Sequence, residues 1–295
     1  MSDYIKNTRI FSLGLDTEGK EHNTKELQER ILLILDEFDR VCRKNNIPYA
    51  LSFGSTLGLV NYGGFLPWDD DADVVIDYFD IPRLVKAFKK DLDPKFSLEG
   101  YEIDKRYNVL IPTFKLRLID SYQKEKNWFT LPNRCGTGSG FFIDICAFHG
   151  VPSDIKEHKK LLKLAKNTFI PYVTLDAFLK IHPYSLKKKL KKHEEKVANL
   201  YKDSDYVSQT VIIPWQDMPK IIEHNSFPRD VIYPFKDCTF EGRKYMTFND
   251  PEKFVELRYG KKWMKKWDGN EWVDTMPESS KSSTHTRKYN LYKSK

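Results

Sequence analysis

The chain has 295 residues, of which 40% are hydrophobic and 31% are charged, and its net charge is +7. This length and apolar content can bury one large core or two smaller ones, which excludes a disordered chain and a disulfide miniprotein. No apolar run approaches the roughly 20 residues of a membrane-spanning helix, and the first residues lack the apolar core of a signal peptide. We therefore expect a cytoplasmic protein, and the positive charge leaves contact with the inner face of the membrane open.

Cysteines and lysine clusters carry weaker signals. No two cysteines have metal-knuckle or CxxC spacing, so we expect four reduced thiols at Cys42, Cys135, Cys146 and Cys238. The lysine clusters are typical of solvated helix faces, and an anionic partner is the functional alternative. They comprise Lys187, Lys188, Lys189, Lys191 and Lys192, and then Lys261, Lys262, Lys265 and Lys266.

Hydrophobic periodicity predicts mixed helices and strands. A first helix is expected over residues 23–44, with Asn23 as N-cap and Glu26 completing a capping box. The elements expected after it are a strand at 49–53, a short helix ending before Gly63-Gly64, a strand ending at Asp77, a helix from Asp80, strands at 114–119 and 141–145, helices near 153–170 and 185–202, short strands within 205–250, a helix from Asp250 and a loose tail from Asp274.

The strongest chemical signal is a cluster of four carboxylates directly before the β-branched run Val74-Val75-Ile76. In an extended chain, Asp69, Asp71 and Asp73 point to one face and repel each other. A hard divalent cation is the natural counter-charge, and oxygen ligands favour Mg²⁺ or Mn²⁺ over Zn²⁺. An EF-hand is excluded because the loop lacks its glycine and its final glutamate. The alternative is an acidic surface turn.

Further candidate residues lie on both sides of this cluster. Gly54-Ser55 follows a short strand and opens a helix, where backbone N–H groups form a phosphate-binding concavity. Asp144 is a single carboxylate inside an apolar strand, and a metal would compensate its charge if that strand lay beside the acidic one. Lys115 and Arg117 point away from the apolar face of their strand, towards either the phosphates of a ligand or solvent.

The order of these elements resembles the nucleotidyltransferase superfamily, with its polymerase-β-like fold. More closely, it resembles the LicD family of phosphocholine transferases, which are related to fukutin-related protein. The later Arg258-Tyr259-Gly260 and Trp263 resemble the ending of that family. The strings that carry the resemblance are Gly54-Ser55-Thr56-Leu57-Gly58 and Gly64-Phe65-Leu66-Pro67-Trp68-Asp69-Asp70-Asp71-Ala72-Asp73.

The resemblance implies an α+β fold, with a small mixed sheet flanked by helices and a helical C-terminal extension. It implies an N-terminal segment (1–22), a catalytic domain (23–273) and a flexible tail (274–295). The implied reaction moves a phospho-alcohol, such as phosphocholine or ribitol phosphate, from a CDP-activated donor to a hydroxyl of a glycan or lipid-linked glycan.

The resemblance also implies roles for the residues at positions that match the family motifs. The metal ligands would be Asp69, Asp71, Asp73 and Asp144, for Mg²⁺ or Mn²⁺. Of these, Asp71, Asp73 and Asp144 would be catalytic, and Gly54, Ser55, Lys115 and Arg117 would bind the donor phosphates.

The sequence departs from the family pattern at His149, Asn61 and Phe53, where the family has Asp, Arg and Gly. The departures leave two alternatives open. One is a nucleotidylyltransferase that acts from an NTP, and the other is a metal- or nucleotide-binding module without catalysis. No helix-turn-helix or finger motif points to a nucleic-acid partner.

Overall fold

The computed structural model describes residues 12–15, 21–67, 69–107, 113–125, 140–175, 179, 181, 183–208, 226–261 and 286–290. Seven α-helices lie in these ranges, together with a short 3₁₀ turn at Tyr78–Asp80. The helices are α1 (Thr24–Lys44), α2 (Phe53–Tyr62), α3 (Ile81–Asp91), α4 (Ile155–Val173), α5 (Tyr184–Leu200), α6 (Arg229–Ile232) and α7 (Pro251–Tyr259). None of these described helices is long and apolar enough to cross a membrane.

The described strands form one large mixed sheet and three two-stranded ribbons. The strands of the large sheet are β3 (Tyr49–Leu51), β4 (Asp73–Asp77), β5 (Phe96–Gly100), β6 (Phe114–Leu118), β8 (Phe142–Val151), β9 (Tyr206–Ser208) and β10 (Ser226–Pro228). The ribbons pair β1 (Ser12–Leu15) with β2 (Glu21–Asn23), β7 (Tyr122–Glu125) with β13 (Thr286–Asn290), and β11 (Lys236–Phe240) with β12 (Arg243–Thr247).

The long strand β8 organises the large sheet. It pairs in parallel with β4, antiparallel with β6 along its first residues, and antiparallel with β9 along its last. β3 pairs antiparallel with the other edge of β4, and β5 pairs antiparallel with β6. The parallel pair β4–β8 therefore lies at the centre of a mostly antiparallel sheet.

Each face of the sheet covers its own apolar core, as the alternation of side chains along β4 shows. Val74 and Ile76 pack into a core with the apolar stripes of α1 and α3. Val75 packs on the other face, in a core that contains residues of α2, α6 and α7. Side chains in register with Val75 therefore share the face that α2 and α7 cover.

The expected α+β class is confirmed, and the predicted elements are found with small shifts in their ends. Asn23 caps α1 as expected, since its Oδ1 accepts from the Glu26 N–H at 3.0 Å. Within the predicted loose tail, residues 286–290 form β13, which pairs with β7. The rest of that tail lies outside the described residues, as does Cys135, while Cys42, Cys146 and Cys238 form no disulfide.

Candidate functional site

Asp73 and Asp144 lie side by side at the start of the parallel strand pair. The two residues are partners in the register of β4 and β8, so their side chains project from the same face of the sheet. Burial raises the pKa of the Cys146 thiol, and the neighbouring Asp73 and Asp144 raise it further. The expectation that the Asp144 strand adjoins the acidic strand is therefore confirmed, and two negative charges meet at this point.

Lys115 supplies positive charge to this pair. It is the register partner of Asp144 on β6, and its Nζ donates to Asp144 Oδ1 at 2.8 Å. The side chain is 2% exposed, and Nζ lies 3.4 Å from the centre of the Phe142 ring. Because the ammonium is nearly excluded from water, its attraction to the carboxylate is much stronger than in a surface pair. Lys115 therefore orients Asp144 within the sheet.

The acidic turn is fastened by the first turns of α1 rather than by sheet pairing. The Thr24 hydroxyl donates to the Pro67 carbonyl at 2.8 Å, and Gln28 Nε2 donates to the carbonyls of Leu66 and Asp69 at 2.9 and 3.0 Å. Regular strand structure begins only at Asp73.

Asp70 and Asp71 are both buried within this turn. The alternation expected over Asp69–Asp73 would place adjacent side chains on opposite faces, but the turn is not a regular strand. The prediction that Asp69, Asp71 and Asp73 point to one face assumed a strand over these residues. Because the strand begins only at Asp73, that argument does not apply to Asp69 and Asp71.

Gly54 and Ser55 lie in the first turn of α2, directly beside the acidic turn, as the sequence predicts. The Ser55 hydroxyl accepts from the Asp73 N–H at 3.0 Å, which joins the helix to the start of β4. A Cβ at Gly54 would lie 3.3 Å from Asp69 Oδ2, so glycine permits a close approach between helix and carboxylate. The positive end of the α2 dipole therefore faces the carboxylates.

Arg258 and Tyr259, at the end of α7, complete the site and were absent from the sequence-based residue set. The Arg258 guanidinium lies 5.5 Å from the Phe53 ring centre and 5.6 Å from that of Tyr259. Burial raises the pKa of the Tyr259 hydroxyl, Arg258 lowers it, and Asp73 and Asp69 raise it again. The resemblance of Arg258-Tyr259-Gly260 to the family ending was the sequence signal for these two residues. It did not indicate that they lie beside α2, because the two segments are far apart in the sequence.

Arg117 and His149 are both engaged in buried contacts within the protein. Arg117 Nε donates to Glu99 Oε2 at 2.9 Å and its Nη1 donates to the Gly140 carbonyl at 2.8 Å, so the expected donor-binding residue forms a buried structural ion pair. His149 donates from Nδ1 to the Gly150 carbonyl at 2.7 Å and packs against Tyr78. Burial lowers the pKa of His149, which favours a neutral, structural histidine.

The carboxylates have the right chemistry for a hard cation, but the arrangement is not a complete cage. Asp69, Asp73 and Asp144 offer only oxygen donors, which Mg²⁺ and Mn²⁺ prefer. Among the described residues, no group of three or more His, Cys, Asp or Glu is placed to hold a metal ion. Magnesium is commonly bound by one or two carboxylates together with substrate phosphates, and the pair Asp73–Asp144 fits that mode.

Fold and site together define an α+β protein with a carboxylate pair at the start of a parallel strand pair, next to a helix N-terminus and an arginine. Residues 46–149 match the family model described as LicD/FKTN/FKRP, nucleotidyltransferase domain. This range contains Asp73, Asp144, Lys115 and the first turn of α2, whereas Arg258 lies outside it.

Two relatives extend this comparison. The lipopolysaccharide cholinephosphotransferase LicD of Haemophilus influenzae is 25% identical over 262 residues, which cover 82% of this chain and 91% of that protein. An uncharacterized protein of Rickettsia prowazekii is 31% identical over 104 residues, which cover 34% of this chain and 36% of that protein. The family model therefore matches the part of the chain that contains the carboxylate pair, and the long alignment extends the similarity to a LicD protein over most of the chain.

Proposed function

We propose that the protein is a metal-dependent transferase with a nucleotidyltransferase-type fold. It moves a phospho-alcohol, such as phosphocholine or ribitol phosphate, from a CDP-activated donor to a sugar hydroxyl of a cell-surface glycan. The observation that carries this proposal is the register pair Asp73–Asp144 beside the start of α2. The long similarity to a cholinephosphotransferase supports the phospho-alcohol as the transferred group.

Asp73 and Asp144 would hold Mg²⁺ or Mn²⁺, with Asp69 and Asp71 of the adjoining turn as further oxygen donors. A bound divalent cation neutralises the charge that develops on the donor pyrophosphate. Lys115 fixes the orientation of Asp144 through the 2.8 Å bond, so this carboxylate is held in place before substrate arrives. The protein thus supplies positioning and charge, which are the main demands of phosphoryl transfer.

The donor phosphates are assigned to the start of α2. The N–H groups of Gly54 and Ser55 lie in its first turn, where a helix favours anions. Arg258 brings a guanidinium to the Phe53 end of the same helix. Guanidinium groups bind phosphate oxygens in a bidentate manner, so Arg258 replaces Arg117 as the arginine of the proposed donor site.

The bond changes of the reaction are simple. The oxygen of the acceptor hydroxyl forms a bond to the phosphorus that bears the alcohol. The hydroxyl proton passes to Asp144 if this carboxylate does not itself bind the metal, and otherwise to water. The bond from that phosphorus to the bridging oxygen breaks, and CMP leaves with the bonding electrons. The phospho-alcohol is then joined to the glycan as a phosphodiester.

A donor panel tests the proposal. The protein is incubated with a glycolipid extract of its source and with CDP-choline, CDP-ribitol, CDP-glycerol or NTPs, with and without EDTA. We expect CMP from one CDP-alcohol, and no CMP when EDTA is present. Release of pyrophosphate from an NTP would establish nucleotidylyl transfer instead, and binding of donor and metal without turnover would establish a non-catalytic module.

A further inference from the structure

The positive charge of the chain is concentrated in one segment, residues 158–193. This segment contains ten lysines and one acidic residue, Asp176. Outside it, 39 basic residues face 41 acidic ones, so the rest of the chain is slightly negative. These residues run from the beginning of α4 to the middle of α5. Over both whole helices and their connection, residues 155–200, there are 12 lysines and four acidic residues, so this part of the molecule still holds the excess of positive charge.

The two helices form an antiparallel hairpin. At one end, the Tyr201 hydroxyl, just after α5, donates to Glu157 Oε1 in the first turn of α4 at 2.5 Å. At the other end, Lys187 Nζ in the first turn of α5 lies 5.8 Å from the ring centre of Tyr172, near the end of α4. The connection between α4 and α5 is therefore the free end of the hairpin.

Buried contacts on the inner face of α5 fasten the hairpin to the sheet. Lys191 Nζ lies 2.9 Å from Glu194 Oε2 and 3.3 Å from Glu102 Oε1. Lys187 is 2% exposed and also lies near the rings of Tyr101 and Tyr107. Burial raises the pKa of Tyr78, which adjoins this cluster. These contacts fix which face of α5 points outward.

The outward face carries lysines at helical spacing. The exposed lysines of α5 are Lys188, Lys189, Lys192 and Lys196, and those of α4 are Lys156, Lys159, Lys160 and Lys163. The exposed acidic side chains of the two helices, Glu157 and Glu195, lie in the half of the hairpin away from the connection. The half near the connection therefore carries the exposed Lys188, Lys189 and Lys192 of α5 with no exposed acidic side chain among the described residues of the two helices, whereas the exposed lysines of α4 lie towards the other end.

Large apolar side chains are exposed at the connection. Ile170, Leu179, Ile181 and Tyr184 are 45, 59, 55 and 50% exposed, and we call these four residues the hairpin tip. Six of the ten large hydrophobic residues found exposed in the described part of the chain belong to this hairpin or its connection. An apolar group beside a basic surface is typical of an interaction site, because water solvates such a group poorly.

We propose that the α4–α5 hairpin docks the protein on an anionic lipid bilayer, with the hairpin tip inserted at the level of the headgroups. Apolar side chains flanked by lysines match such a surface in both hydrophobicity and charge. A polyanion in solution would match the lysines but not the tip, and the apolar tip therefore favours the bilayer. The inference concerns a surface apart from the carboxylate site and does not rest on the reaction.

Vesicle co-sedimentation of the full chain tests this docking. We expect binding to vesicles that contain phosphatidylglycerol, little binding to phosphatidylcholine alone, and weaker binding as salt is raised. The double variant Lys188→Glu/Lys189→Glu should bind more than about thirty-fold more weakly, because it removes two positive charges and adds two negative ones. Leu179→Ser/Ile181→Ser should weaken binding about tenfold, because it removes the inserted apolar area.

Two control variants show whether a loss of binding is specific to the hairpin or follows from any exposed apolar residue or any change of charge. Ile155→Ser/Leu200→Ser changes two equally exposed residues at the far end of the hairpin and should leave binding unchanged. Lys236→Glu/Lys244→Glu reverses the same charge on the β11–β12 ribbon and should retain most of the binding. Circular dichroism of each variant establishes that the fold is intact.

Four outcomes would overturn the proposal. They are absence of binding to anionic vesicles, equal loss of binding in tip and control variants, unchanged binding when the tip is made polar, and concentration-dependent dimerisation that the tip variant abolishes. The third outcome would indicate a soluble polyanion as partner, and the fourth a second copy of the chain.

Discussion

Asp73 and Asp144 can be tested one side chain at a time. Asp73→Asn and Asp144→Asn keep the size of the side chain but remove the negative charge that would hold a divalent cation. We expect each variant to lower kcat on the order of 10²–10³-fold. Stopped assays of CMP release measure this. Asp77→Asn is the matched control, since Asp77 lies on the same face at the far end of β4 and receives the Tyr233 hydroxyl at 3.0 Å.

The two variants should differ in stability. Asp73→Asn relieves repulsion between neighbouring carboxylates and should be at least as stable as the parent protein. Asp144→Asn also leaves the buried Lys115 ammonium without its carboxylate partner and should be less stable, so its turnover is compared at a temperature at which the variant is folded. Near-normal turnover of Asp73→Asn at saturating metal would remove this residue from the site. An equal loss in Asp77→Asn would point to a general effect on β4.

Arg258 is predicted to act through donor binding. Arg258→Met retains much of the apolar stem but removes the guanidinium beside Phe53. We expect KM for the CDP-alcohol to rise about tenfold with a smaller change in kcat, as for loss of one charge-assisted contact to phosphate. Steady-state kinetics measure both constants. Arg106→Met, which removes an exposed pair with Asp104, should change neither. A fall in kcat alone would contradict the assignment.

Sequence reasoning located Asp73 from the acidic cluster before a β-branched run, Asp144 as a charge inside an apolar strand, and Lys115 as a charge on the polar face of an alternating strand. It could not place Arg258 beside α2, since no periodicity links residues 200 positions apart. It also did not predict the backbone conformation of Phe53, whose φ of +45° lies in the region that favours glycine. Ring contacts with Phe148 and Phe254 hold Phe53 in this conformation. Such compensation by tertiary packing is not visible in a local motif.

At the scale of elements, α2 is positioned by close contact with the loop that leads to the acidic turn. A Cβ at Gly58 would lie 2.3 Å from the Gly64 carbonyl oxygen and 3.0 Å from the Leu66 nitrogen. Gly58→Ala should therefore lower the free energy of unfolding by about 1–3 kcal/mol, although alanine is the better helix former. Urea denaturation measures the change.

Gly54→Ala provides the comparison within the same helix. Its Cβ meets only the Asp69 carboxylate, at 3.3 Å, so activity should fall while stability is nearly kept. If Gly58→Ala proved as stable as the parent protein, the close packing of α2 on the loop would be contradicted.

Helix α4 should make stability depend on pH. Burial, with a smaller effect of His149, lowers the pKa of His158 to about 4, below its usual 6.5. The unfolded chain therefore binds the proton more readily between these values, and the free energy of unfolding falls as pH drops from 6.5 to 4. The loss from His158 alone is at most about 3 kcal/mol. Urea denaturation at several pH values measures it.

His158→Gln should reduce this pH dependence, because the amide does not titrate. Some dependence should persist, since burial also lowers the pKa of His149. Identical pH profiles for the variant and the parent protein would show that His158 is not held in its neutral form by the fold.

Across the whole molecule, negative and positive charges are concentrated in different regions. Carboxylates gather at the start of β4 and β8, while the excess of lysine lies on the α4–α5 hairpin. Composition alone predicted only a modest positive charge, because the two regions cancel in the sum. Which lysines face inward depends on contacts such as Lys191 with Glu102, which join residues far apart in the sequence.

The destination of each donor phosphorus tests the central claim most directly. Two samples of the CDP-alcohol selected by the donor panel are labelled, one at the phosphorus that bears the alcohol and one at the phosphorus of the CMP moiety. We predict that the first label appears on the glycolipid acceptor, that the second remains in CMP, and that Asp73→Asn abolishes the transfer. Appearance of the second label on the acceptor, or transfer that is unaffected in Asp73→Asn, would contradict the account.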